Sequence, residues 1–400
     1  MRKVLFLLLI VALQGCYESR KIETLTSFER KYFFDTEIEA QLKKDTVYWK
    51  YQISTDRYAS KGNYTQALLG WDEMYKRPRR PYDQQKADSL LALYTPVDAS
   101  EEIIKAAKNT RLTIINEAHH NSSHRLFTKS LLQDLYDQGY RHLGLEALDN
   151  TSSKDIELND RGYPIYTSGH YTKDPNFSLL IREAIKIGYR VFPYEENVNA
   201  KMKFREIEQA KNIQQEMDQY PNDKFLIHCG FDHALEGDYP GAWEKAMAER
   251  LKNSSNIDPL TINQTTYSSR GIEEMDHPLL KLFSPEKPIV LKDASGTVLP
   301  YKRRNSWMDM AVFHPKATTV DGKIGINNDQ SFLDISELNL EFPVMIMVYE
   351  TSDNVRTSVP IYISELYEFR EKISIPIAQG SYSFVFVDAK DHAITFKDNL

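Results

Sequence analysis

From about residue 98 the chain repeats one pattern: a short apolar run, a longer helical stretch, and another short apolar run. The strand-like runs fall at 111–116, 142–146, 190–194 and 224–228, and the helical stretches at 124–140, 176–188, 198–219 and 240–252. The first of these helices carries Leu126, Phe127, Leu131, Leu132, Leu135 and Tyr136 on one face and ends near Gly139. Such alternation predicts right-handed βαβ units and an α/β fold built on a mostly parallel sheet with flanking helices. Runs at 259–264, 288–292 and 308–313 extend that sheet. One connection, 150–173, is instead polar and rich in Gly and Tyr, which suits a lid or a rim.

The carboxyl ends of open parallel strands lie side by side, so residues far apart in the chain share one crevice there. In this chain those ends carry Glu117 and His119, then Glu146, then Glu195 and Glu196, then His228 and His233. Glu146 closes an apolar strand, where a carboxylate is costly unless it is paired or acts as a ligand. Glu195 and Glu196 are adjacent and point different ways, so one of them faces the crevice. Gly230 predicts a tight turn that returns His233 to it. Arg205, at the start of a helix, is placed to hold a substrate carboxylate or to pair with a site glutamate. Imidazole and carboxylate suit water activation by a base, and they equally suit a divalent metal (Mn, Zn or Co) on His119, His124, His228 and His233. Cys229 lies in a buried strand end, where cysteine is an inert small hydrophobe.

The flanks read differently. Arg2 and Lys3 precede an apolar run over 4–13, which is too short to span a bilayer and has the form of a secretory signal. Gly15-Cys16 at its end resembles a lipobox, which implies lipidation at Cys16 and an exported, lipid-anchored protein, on the outer membrane, facing the periplasm or the surface. Removing 1–15 takes away two positive charges and leaves 48 basic against 57 acidic residues, which argues against nucleic acid as a partner. Residues 16–97 read as helical. Within them 44–61 and 64–75, separated by Gly62-Asn63, resemble one tetratricopeptide unit with Ala67 at the small position and Trp71 and Tyr75 as packing aromatics. Beyond 329 the runs at 343–349, 358–363, 372–377 and 381–387 predict a small antiparallel β-sandwich. The domains expected are therefore 1–15, 16–97, 98–328 and 329–400, with the helices or the sandwich available to a protein partner.

Four elements, in order, resemble one superfamily. They are Asn116-Glu117-Ala118-His119, Leu145-Glu146-Ala147-Leu148, Arg205-Glu206 with Gln209-Ala210-Lys211-Asn212-Ile213, and Ile227-His228-Cys229-Gly230-Phe231-Asp232-His233-Ala234. The superfamily groups the Tiki proteases, ChaN-type haem-binding lipoproteins, TraB proteins and erythromycin esterases. Asn116 stands where that family has glycine, and Gln209 where methionine is common. The resemblance implies a hydrolase of an ester, lactone or peptide bond in a small-molecule or peptide substrate. Glu117 or Glu146 would deprotonate water, His119 and His233 would carry protons or complete a metal site, and Arg205 would orient substrate. The ChaN branch implies haem instead, with the histidines and Tyr163, Tyr166 and Tyr171 as axial candidates. A non-catalytic envelope scaffold is the third expectation.

Overall fold

The computed structural model describes residues 20–196, 200–239, 241–317, 319–320, 323–324 and 331–400. The signal-like segment and Cys16 lie outside these. Among the described residues no helix is long and apolar enough to cross a membrane.

Eight strands form the central sheet: β1 (Thr95–Asp98), β2 (Leu112–Glu117), β3 (Tyr140–Leu145), β4 (Arg190–Pro193), β5 (Lys224–Gly230), β6 (Leu260–Ser268), β7 (Ile289–Lys292) and β8 (Met310–His314). Their spatial order is β1-β7-β8-β6-β2-β5-β3-β4. From β8 to β4 every neighbouring pair is parallel. β7 runs antiparallel to both β8 and β1, so the sheet is mixed at that edge.

Alternation within the strands sorts the core. Leu112, Ile114, Phe225, Ile227 and Cys229 face the helices α8 (Lys203–Gln219) and α9 (Met247–Ser255), packing on Ile213, Met217 and Leu251. Ile115, Leu143, Leu145 and Leu226 face the other way. They pack on α5 (Ala99–Ala107), α6 (Ser123–Asp137) and α7 (Pro175–Ile187) through Ile103, Leu131, Leu132, Leu180 and Ile181. A strand period of two therefore sends odd-numbered residues of β2, Glu117 included, toward α6 and α7, and sends Asn116 toward the opposite layer.

Ahead of this unit lie α1 (Asp35–Lys44), α2 (Lys50–Ser60), α3 (Tyr64–Met74) and α4 (Gln84–Leu93). The α2–α3 hairpin turns at Gly62, whose φ is +78°, and Asn63 caps α3 by accepting from the Gln66 amide. Ala67 is buried against Ile38, Tyr58 and Ala59, as a small position requires. Tyr75 is exposed and Trp71 stacks on His120, so neither aromatic packs a second helical repeat.

The C-terminal strands β9 (Val344–Glu350), β10 (Tyr362–Leu366), β11 (Ser381–Asp388) and β12 (Ala393–Asn399) form an antiparallel sheet, extended by Glu23–Thr24 beside β12. One face, with Val344, Ile346, Phe384 and Phe386, packs on Leu333, Ile373 and Ile375 of a two-stranded ladder. The other face, with Met345, Met347 and Val385, is covered by Tyr32 and Phe34. The expected sandwich thus has one small second layer, and the N-terminal segment supplies the covering of its far side.

Candidate active site

The ends of β2, β5, β3 and β4 are consecutive in the sheet, and they bring Glu117, Glu146, Glu195 and His233 into one neighbourhood. A cavity of about 890 Å³ opens there, walled by His119, Glu146, Tyr171, Glu195, Arg205 and His233 among others. The polar insertion supplies Tyr171, whose ring stacks on His119 at a centroid distance of 3.8 Å. It therefore forms part of the rim.

Two histidine systems flank Glu146. In the first, His119 Nδ1 lies 2.9 Å from Glu117 Oε1. A carboxylate only accepts, so the Nδ1 hydrogen is donated to it and the Nε2 lone pair is left free. Glu117 is held by Arg125, whose Nε and Nη2 donate to its two oxygens at 2.6 and 2.8 Å. Arg125 is itself fully buried and also binds Asp174 and the His119 carbonyl. Burial pushes the Glu117 pKa up, but the Arg125 charge and the His119 and Arg125 hydrogen bonds outweigh it and hold it well below the carboxylate range.

In the second system His233 stacks on Trp243, and its Nδ1 lies 2.8 Å from Glu206 Oε2, an oxygen that also accepts from the Met247 amide. Arg205 Nη1 meets His233 Nε2 at 2.8 Å. Because guanidinium only donates, Nε2 is the acceptor in this contact and the Nδ1 hydrogen goes to Glu206. Burial lowers the His233 pKa, while Glu146 and Glu206 together leave it raised. On protonation its Nε2 would turn to Glu146 Oε1, 3.4 Å away.

Arg205 links the systems. Its Nε donates to Glu195 at 3.0 Å, and Nη2 donates to Glu146 at 2.7 Å and also to Glu195. Four of its five N–H groups are thereby used, and one on Nη1 has no protein acceptor among the described residues. Glu146 also accepts from the Gly230 amide. Burial raises its pKa, and His233, His119 and Arg205 reverse this, bringing it to about 2.

Gly230 is required for space. Its φ is −82°, which any residue adopts. A Cβ there would lie 2.5 Å from His119 Nε2 and 3.3 Å from Glu146 Oε2, so the strand end passes directly beneath both groups. The tight turn expected at this glycine falls one residue later, at Phe231, where φ is +41°. Asn116 Nδ2 donates to the Phe231 carbonyl at 2.6 Å and holds that strained residue in place. Asn116 therefore braces the loop from the far layer.

Several expectations need correction. Glu117 is enclosed by Arg125 and His119, so it orients His119 and does not reach water as a base. His124 is no metal ligand: Nδ1 accepts from the Ala118 amide at 3.0 Å and Nε2 contacts Ser268 at 2.7 Å, so both nitrogens serve the core. His228 lies inside the α6–α7 layer, against the edge of Phe177 and 3.7 Å from Glu117. Burial chiefly lowers its pKa, to about 4. Among the described residues no three His, Cys, Asp or Glu side chains are grouped to hold a metal ion, so His119, His124, His228 and His233 do not fit the expected site. Of the haem candidates, Tyr163 accepts from the Asn354 amide and is not on the cavity wall, Tyr166 donates to the Lys31 carbonyl, and Tyr171 stacks on His119 at that wall. Glu195 is the member of its pair that faces the site, while Glu196 accepts from the Ala200 amide. Cys229 is buried, and burial raises its thiol well above the ordinary value, as an inert hydrophobe would be.

Arg125, Asp174, Glu206, Tyr171 and Trp243 complete the site beyond the residues read as catalytic. The Arg125 signal was an arginine three residues into an amphipathic helix, on the face that carries Leu132. Glu206 was signalled by its place beside Arg205.

No family model and no curated protein matches this chain. Solved structures match parts of it. The type III effector HopBA1 is 14% identical with a TM-score of 0.33, over 46% of this chain and 94% of that one. RRSP, a MARTX toxin effector domain from Vibrio vulnificus, is 16% identical with a TM-score of 0.30, over 55% of this chain and 45% of its own. A structure of the C-terminal region of Pasteurella multocida toxin, titled for its thiol-protease-like catalytic triad, is 16% identical with a TM-score of 0.29, over 51% and 30%.

Proposed function

We propose that this protein is a hydrolase of an ester, lactone or peptide bond, as the resemblance to the Tiki and erythromycin-esterase superfamily implies, with His119 as the general base in place of the glutamate that resemblance suggested. The observation that carries the reading is the chain Asp174–Arg125–Glu117–His119, which orients one imidazole with Nε2 at the cavity wall beside Glu146. Water attacks the carbonyl carbon and gives its proton to His119 Nε2. The imidazolium is stabilised by Glu117 at Nδ1 and by the charge of Glu146. The remaining Arg205 Nη1 hydrogen is donated to the developing oxyanion. His119 then returns the proton to the leaving oxygen or nitrogen as its bond to carbon breaks. With Cys16 lipidated, the enzyme would act in the cell envelope.

The purified protein, assayed against ester, lactone and peptide panels with and without EDTA, should hydrolyse one class. His119→Gln should lower kcat about 10²- to 10⁴-fold, the range for losing a general base. Unchanged turnover in that variant would refute the role.

A further inference from the structure

A second cavity of about 360 Å³, at the small end of ligand-binding pockets, lies behind the His119–Tyr171 stack. Four residues, His119, His170, Tyr171 and Phe231, wall both this chamber and the larger one. His120, from the loop after β2, adds to the wall, and the rest comes from the α2–α3 hairpin and its approach, including Trp49, Gln52, Ile53 and Trp71. The rings are ordered against one another. Trp71 stacks on His120 at 4.1 Å and 15°, and on Phe231 at 5.6 Å and 16°. His120 is buried, and that burial holds its imidazole neutral, so it presents an uncharged face. At the edge, the Asp56 carboxylate lies 3.2 Å from His170 Nε2 and accepts a hydrogen bond from it.

From this geometry we infer that the chamber is a specificity subsite, which takes a flat, uncharged aromatic group of the substrate while the scissile carbonyl lies beyond His119 among Glu146 and Arg205. Parallel ring faces favour offset stacking of another ring, the Asp56 carboxylate would repel an anion, and moving any charge from water to a wall built mainly of rings costs desolvation. The hairpin that resembles a repeat unit thereby acquires a role as the wall that selects substrate. This inference rests on the hydrolase reading for the position of the carbonyl, though not for the binding of the ring.

Two measurements separate the two. Calorimetric titration with 1-naphthaleneacetamide, an uncharged ring probe that is not an ester, should show saturable binding to the intact protein. Trp71→Ala should weaken it about tenfold, the size of one lost ring contact with its buried area. Gln52→Trp, at an exposed position on the chamber wall, should weaken it as much by filling the space without disturbing the core. In hydrolysis, the ratio of kcat/KM for an arylacetate ester over its alkyl counterpart should fall by a similar factor in both variants. Absent probe binding, or binding that neither substitution alters, would overturn the subsite. Ring binding without hydrolysis of any ester, lactone or peptide would keep the subsite and remove the hydrolase reading.

Discussion

The charge states of single buried side chains set how this protein responds to acid. His228 has a folded pKa of about 4 against an ordinary 6.5, because burial disfavours the imidazolium. Between those values the unfolded chain binds the extra proton, so stability is complete above pH 6.5 and falls as pH drops toward 4. The loss amounts to on the order of 3 kcal/mol for this group. Glu146, at about 2 against 4.5, acts in the same direction over a lower window, with its contribution complete above 4.5 and lost toward 2. His233 has the opposite sign: its raised pKa adds stability below 6.5 that disappears as pH rises through the folded value. Urea midpoints measured from pH 7 to 4 should fall, and His228→Gln should flatten that slope. An equally steep slope in the variant would show that His228 is not the responsible group. Arg125→Met should cost about 3–5 kcal/mol, since it strands Glu117 and Asp174 as buried charges. A smaller shift in the urea midpoint would mean that water reaches them.

Strand ends and the turns after them place these groups. β5 must pass beneath His119 and Glu146 without a side chain, so Gly230→Ala should push the His119 ring aside. Its backbone angle tolerates alanine, so the stability loss should be about 1–3 kcal/mol, the usual cost of overpacking, with a much larger fall in kcat. Circular dichroism melting beside ester turnover distinguishes this from unfolding, and wild-type turnover in the variant would contradict the close approach. The first turn of α8 sends Arg205 to Glu146, Glu195 and His233 Nε2, and Glu206 to His233 Nδ1, so the two residues hold the His233 ring from both nitrogens. One helix start thus organises the half of the site that lies away from His119.

Three layers are tied together around the crevice. Arg182 of α7 binds Asp353 in the C-terminal region, and Lys61 at the end of α2 pairs with Asp35 and with Glu365 of β10. Tyr64 of α3 donates to Asp174, joining the N-terminal helices to the carboxylate that steadies Arg125. Tyr64→Phe should therefore lower turnover about tenfold or less while leaving the fold intact, the effect of losing one buried hydrogen bond at a remove from the reaction. No change in kcat would disconnect the helices from the site. On the proposed lipidation of Cys16, mass spectrometry of the native protein should find a lipid-bearing N-terminus, and Cys16→Ser should shift the protein to the soluble fraction; an unmodified N-terminus would refute that proposal.

The sheet and the crevice were legible from alternation alone: apolar runs of period two between helices, each ending in an acid or an imidazole, define which residues meet at parallel strand ends. Glu117, Glu146, Glu195 and His233 converge for that reason. The pattern could not distinguish roles among them, because a role depends on which atoms are already bound. His124 and His119 are five residues apart and chemically identical, yet one has both nitrogens occupied in the core and the other keeps Nε2 at a cavity. Glu117 looked like a base until Arg125, a residue eight positions on and on another element, enclosed it. Local periodicity decides direction, strand or helix, core or edge. Hydrogen-bond saturation is a property of neighbours distant in the chain, and those are set when the layers pack.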